Sequence, residues 1–379
     1  MRFQTAAVTE HQSLLVCYNI LSSIKEHLLR VVYDKGIYLP EIDLWLDARR
    51  RCALSVISHA HADHIQHHQS IIATPATARI FEHRIKRTDA LLLDFYETKD
   101  FGNFKLTFYP AGHVLGSAQT LIEYQGERVV YTGDFKLRSG LSCESPEIVP
   151  CDTLITECTF GQPHFIFPDD AHVHRLLCEH VDEAFKAGLQ PVVFGYSLGK
   201  SQEALKILLG GGYSVAVHHS IMAIVDIYRE MGIEFDGDYR PLDCSDTDGL
   251  VVLAPPGARH GAAMQKIEKP YTIYLSGWGM DARARYRYQT DVVLPLSDHA
   301  GFDDLERYAI ASGAKKVYTL YGDHTFASHL RQRGIDAEHL HPVAVVPQAT
   351  PSRKPSSSRK RAKDEATMSL FDLIESATS

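Results

Sequence analysis

Seven residues, SHAHADH at 58–64, constrain this chain more than any other stretch. They follow an apolar run, ALSVI at 53–57, that reads as a β-strand running into a loop. His59, His61, Asp63 and His64 place four metal-ligand side chains in six positions. Side chains alternate along an extended chain, so His59, His61 and Asp63 are expected on one side and His64 on the other. One short segment is thus expected to serve two neighbouring metals. Imidazole and carboxylate without thiolate suit zinc, with manganese or iron as weaker candidates. The competing reading is a chance cluster in a chain with 21 histidines. The density of ligand types at a strand end argues against it.

Two metals need more donors, and similar strand ends supply them. His113 sits in YPAGHVLGS, where Gly112 and Gly116 allow close backbone approach. Asp134 follows the apolar run RVVY in YTGDF, where a carboxylate could bridge both metals.

The rest of the chain reads as a mixed α/β protein. Strands are expected at 42–48, 104–114, 119–125, 128–135, 151–160, 191–197, 213–219, 249–255, 271–277, 291–299 and 315–322. Helices are expected near 170–187, from Gly199 onward, and at 301–312 and 325–333. Segment 13–32 reads as an amphipathic helix, too interrupted by charge to span a membrane. No secretion signal is evident. The seven cysteines form no C-x-x-C pair, as expected of reduced thiols in a cytoplasmic protein. Net charge is −8, yet PSRKPSSSRKRAK at 351–363 is basic without an acid. An acidic body with a basic, disordered tail from 347 suggests tail contact with a polyanion.

Further segments complete a pattern. Asp47 lies in LWLDA, Glu157 in TECTFG and His299 in LSDHAGF, while GYSLGKSQEAL spans 195–205. With the histidine motif, His113 and Asp134, these resemble the metallo-beta-lactamase superfamily and its beta-CASP branch. Within that branch the likeness is to bacterial ligase-associated DNA exonucleases and RNA 3′-end-processing factors, over roughly 36–340. The resemblance implies a four-layer αβ/βα sandwich with an inserted beta-CASP α/β domain. Its parts would be an N-terminal extension (1–32), the sandwich in two pieces (33–169 and 291–346), the insertion (170–290) and the tail (347–379). It further implies one zinc held by His59, His61 and His113, and a second by Asp63 and His64. Asp134 would bridge them, and Asp47 would orient a histidine ligand. The implied activity is a zinc-dependent nuclease, preferably a DNA exonuclease in repair. Metal-activated hydroxide would attack the phosphodiester, with Asp63, Glu157 and His299 catalytic. The alternatives are an RNA-processing nuclease and a thioester or lactam hydrolase. A DNA ligase or helicase is the implied partner.

There is one departure. The RNA-acting members carry a third histidine in L-x-H-G, and TLYGDH puts Tyr321 in its place, with His324 three residues on. That departure bears on the second metal. GYSLGKS falls one residue short of a P-loop, so ATP binding is rejected. Ser197 and Lys200 could instead hold a substrate phosphate at a helix start. Arg285, among Arg283, Tyr286, Arg287 and Tyr288, could line a nucleic-acid path. In the tail, Met368, Ser369, Leu370 and Phe371 resemble the peptide by which bacterial proteins bind the replication sliding clamp.

Overall fold

A computed structural model describes residues 29–85, 88–243 and 246–342. The chain first forms β1 (Val32–Tyr33), β2 (Ile37–Leu39), β3 (Leu44–Leu46), β4 (Leu54–Val56), β5 (Ser70–Ala73) and β6 (Asp89–Leu92), paired in that order as one sheet. Pairing is antiparallel as far as β3 and parallel from β3 to β6. Helix α1 (Pro75–Arg84) links β5 to β6. Thr74 caps it by accepting from Thr77 N, and Pro75 fits the first turn, where its missing N–H costs nothing. A second sheet follows with β7 (Thr98–Asp100), β8 (Lys105–Pro110), β9 (Ala118–Tyr124), β10 (Glu127–Tyr131) and β11 (Thr153–Glu157).

The chain then builds a third sheet before returning to the second. That excursion contains α2 (Asp170–Lys186), β12 (Gln190–Phe194), α3 (Lys200–Gly210), β13 (Val215–Val217), α4 (His219–Glu230), β14 (Tyr239–Pro241), β15 (Val251–Ala254), β16 (Pro270–Leu275), α5 (Ala284–Tyr288) and β17 (Val292–Leu294). Its strands are all parallel, in the order β14-β13-β15-β12-β16-β17. Then α6 (Phe302–Ala311), β18 (Lys316–Leu320), α7 (Thr325–Gln332) and β19 (Asp336–His339) complete the second sheet, with β18 directly beside β11.

The period-two alternation of the strands assigns each face. Val129 and Tyr131 of β10 face the first sheet, among Leu46, Val56, Ile72, Phe108 and Ile155. Val130 faces the other way, with Leu154, Val317, Leu305, Tyr308 and Phe326 beneath α6 and α7. On the outer face of the first sheet, Ile71 and Ala73 pack on Phe81 of α1. The layers are therefore helix, sheet, sheet, helix: a four-layer α/β sandwich. The third sheet has its own apolar faces, one of which includes Ala60, Ile80, Val114 and Leu115 from the sandwich. Among the described residues, no helix is long and apolar enough to cross a membrane.

Three helices, α1, α4 and the short α5, were not legible in the sequence. In α1, Pro and Thr at the start mask a weak apolar period, and α4 (HSIMAIVDIYRE) merges with the apolar run of β13. Phe108 is fully buried between the two sandwich sheets. Phe108→Ala is expected to destabilise the protein by about 3–5 kcal/mol in denaturant unfolding. Ile310→Ala, at a side chain 53% exposed, should stay within about 0.5 kcal/mol.

Candidate metal centre

The chemistry-bearing side chains collect at the carboxyl ends of β4, β8, β10, β11 and β17, where the chain leaves each strand. After β4 the segment does not stay extended. It turns, with His64 N donating to the carbonyl of His61 at 3.1 Å. That turn corrects the period-two expectation. His59 and His64 come together, ring centroids 4.1 Å apart, while Asp63 stands at the rim with its side chain 66% exposed.

His59, His61, His113 and Asp134 offer ligand atoms that all lie within 4.8 Å of one another. Asp134 Oδ2 is 3.3 Å from His64 Nε2, 3.5 Å from His59 Nε2 and 3.9 Å from His113 Nε2. His61 presents its other nitrogen, Nδ1, 2.9 Å from His113 Nε2. Gly133 lets Asp134 into this position. Its φ is +55°, and a Cβ there would stand 2.6 Å from Ser58.

The outer partners of these rings fix where their protons sit. His61 Nε2 meets the carbonyl of Leu198 at 3.1 Å, and His113 Nδ1 meets that of Asp298 at 2.8 Å. A carbonyl only accepts, so both nitrogens carry hydrogen. His64 Nδ1 donates to Asp47 Oδ2 at 2.8 Å. Ser58 Oγ gives its hydrogen to the same carboxylate, so it accepts from His59 Nδ1 at 3.0 Å. His59 and His113 therefore turn bare lone pairs toward the Asp134 carboxylate, and His61 turns one toward His113. Buried acceptors facing one another at 2.9–3.9 Å repel unless a cation lies among them. His59 Nε2 is buried without a hydrogen-bond partner.

Electrostatics agree with this arrangement for His59, His61 and His113. Burial pulls His59 well below the ordinary histidine range, His61 down to about 4 and His113 to about 3, which keeps their lone pairs free. For His64 burial opposes the charge, but Asp134 and Asp47 hold it well above the ordinary value. The residues fit a divalent cation of the kind that nitrogen and oxygen donors select.

Asp47, fully buried, accepts from Ser58 N at 2.7 Å, from Tyr131 OH at 2.8 Å, from Ser58 Oγ and from His64. On the other flank, Glu157 Oε1 accepts from His299 Nδ1 at 2.8 Å and from Phe135 N at 3.0 Å. The His299 ring lies 4.7 Å from that of His113. Burial lowers His299, yet Glu157 more than offsets it, holding the imidazole up at about 9. Tyr321 packs edge-on to His64 at 5.3 Å, its hydroxyl 3.4 Å from that of Tyr131. His324 is exposed just before α7.

Lys200, expected to meet substrate, is only 7% exposed and paired with the buried Asp298, which leaves no free ammonium for a phosphate. Ser197 is half-buried at the same turn. Arg285 is exposed and lies over Tyr286 at 4.8 Å. Leu370 and Phe371 lie outside the described residues. Sequence reading missed Asp298, Ser58, Tyr131 and the Leu198 carbonyl. Of these, only Asp298, beside His299, carried a visible signal.

No family model matches the chain. It is 40% identical over 313 residues, 81% of its length, to a probable DNA ligase of Opitutus terrae, covering 30% of that protein. It is 29% identical over 180 residues to an RNase J-like protein of Methanocaldococcus jannaschii, covering 40% of this chain and 42% of the relative. It is 32% identical over 126 residues to cleavage and polyadenylation specificity factor 73 of Drosophila melanogaster, covering 31% of this chain and 17% of the relative. The chain thus spans under half the length of each of these curated relatives. A crystal structure of a protein of unknown function from Enterococcus faecalis V583 shares the fold, with a TM-score of 0.53 at 14% identity, over 76% of this chain and 79% of that one.

Replacing Asp47 tests the ring of outer partners. Asp47→Asn is expected to weaken metal affinity about 10- to 100-fold in competition with a chromophoric chelator. An unchanged affinity would remove Asp47 from the centre.

Proposed function

We propose that this chain, which belongs to the beta-CASP branch of the metallo-beta-lactamase superfamily, is a zinc-dependent nuclease that hydrolyses phosphodiester bonds at DNA ends. The observation that carries the reading is the inward ring of acceptors beside the Glu157–His299 pair. We take His59, His61, His113 and Asp134 to hold one zinc, with Asp63 and His64 as donors for a second metal. The exposed position of Asp63 suits a site open to solvent and substrate. Residues 170–290 are read as the beta-CASP insertion, and the parallel sheet they build, with β17 (Val292–Leu294) added at its edge, supports that reading.

A bound divalent metal supplies Lewis acidity at a phosphate oxygen and makes a water more acidic. The protein supplies the rest. His299 holds a proton that the Glu157 carboxylate stabilises, and it gives that proton to the departing oxygen. Glu157 is itself held by Phe135 N, so the imidazole is aimed before substrate arrives.

Two observations bear on the polymer. The relative named as a probable DNA ligase matches four-fifths of this chain, and trimming ends is chemistry that ligation needs. That favours DNA, with a ligase as partner. The RNase J-like relative supports the second reading, an RNA nuclease, over a shorter match.

Zinc-loaded protein is expected to degrade end-labelled single-stranded DNA faster than RNA of the same sequence, with Asp63→Ala abolishing cleavage. Faster cleavage of RNA would favour the second reading. Loss of neither polymer by metal-loaded wild type would refute the nuclease reading. His299→Ala should lower kcat by about 10²- to 10⁴-fold while metal content stays at the wild-type level. Loss of metal instead would make His299 part of the binding site.

A further inference from the structure

The turn between β12 and α3 reaches from the third sheet to the metal centre, and each of its contacts there ends on a ligand histidine or a direct neighbour of one. Leu198 offers its carbonyl to His61 Nε2 at 3.1 Å. Gly199, at φ +89°, lets the helix start approach the His113 loop, because a Cβ would stand 2.6 Å from Val114. Lys200 Nζ pairs with Asp298 Oδ1, and Asp298 offers its carbonyl to His113 Nδ1 at 2.8 Å. Asp298 Oδ2 is buried with no hydrogen-bond partner, and Lys200 is the near counter-charge of this carboxylate, with His299 Nε2 farther off at 3.7 Å. The next residue, His299, is the one held by Glu157. Gln202 stiffens the turn from within, accepting from Gly199 N at 2.8 Å and donating to the Ser197 carbonyl at 3.0 Å.

We propose that Lys200 is a positioning residue of the metal centre: its buried ion pair with Asp298 locks the 297–299 segment so that the Asp298 carbonyl fixes the orientation and tautomer of His113. The helix start of the third sheet then acts as part of the ligand scaffold. This differs from a role in gripping substrate, which would require an accessible ammonium. Lys200 is instead buried beneath Tyr196, whose ring lies 5.2 Å from Nζ. The inference rests on the metal reading above, but its test does not depend on nuclease activity.

The experiment is cobalt titration of metal-free full-length protein, followed by the visible d–d absorption and by competition with a chelator. Wild type, Lys200→Met, Lys200→Arg and the double variant Lys200→Met/Asp298→Asn are compared. Lys200→Met is expected to bind cobalt at least tenfold more weakly with an altered d–d band, and Lys200→Arg to restore both. The double variant removes the unpaired buried charge, and so covers the case in which Lys200→Met does not fold. It too is expected to bind weakly, because the lock is gone. Wild-type affinity and spectrum in Lys200→Met or in the double variant would overturn the proposal. Cobalt binding by wild type that equals binding by Asp134→Ala would instead sink the metal reading itself, and this inference with it.

Discussion

Bare acceptors turned toward one point set the terms for this structure. His59, His61 and His113 each give away their only hydrogen on the outside, to Ser58, Leu198 and Asp298, and His64 gives one to Asp47. The inward nitrogens of His59, His64 and His113 lie 3.3–3.9 Å from the Asp134 carboxylate, and that of His61 faces His113. Polar groups buried together are tolerated when donors and acceptors match, and here three rings and a carboxylate turn acceptors toward one another. A cation resolves the mismatch. For His64 burial opposes the charge, yet Asp134, Tyr321 and Asp47 favour the charged form and hold the imidazole above the ordinary histidine range.

The fold exists to hold those outer partners still. Asp47 belongs to the end of β3, Tyr131 to β10 and Ser58 to the turn after β4, so one carboxylate ties both sandwich sheets to His64. The Leu198 carbonyl comes from the turn between β12 and α3, and that of Asp298 from the segment that leaves the third sheet after β17. The centre therefore draws on every sheet in the described residues, although the ligand side chains themselves come only from the sandwich. Glu157 and His299 repeat the pattern on the opposite flank, with a backbone N–H holding the carboxylate that holds the imidazole.

Much of this was legible in the sequence. Ligand types at strand ends, spaced as H-x-H-x-D-H with His113 and Asp134 downstream, marked the residues that the fold brings together. The apolar runs marked the central strands of the second and third sheets but not the edge strands β7, β14 and β19, which are short and polar. What failed was orientation. Alternation along an extended chain assigned Asp63 to the His59 side, but the chain turns at His61, so His64 points inward instead. Partners distant in sequence were also hidden. Lys200 looked like a free cation at a helix start, and its counter-charge lies 98 residues away. The Leu198 carbonyl carries no side-chain signal, since any residue there offers the same acceptor.

The most direct test of the account is X-ray absorption at the zinc edge of the zinc-loaded protein. The expected spectrum shows a first shell of nitrogen and oxygen near about 2.0–2.1 Å, with the multiple scattering of at least three imidazoles and no sulfur. A sulfur scatterer near about 2.3 Å, or zinc without the imidazole signature, would contradict it.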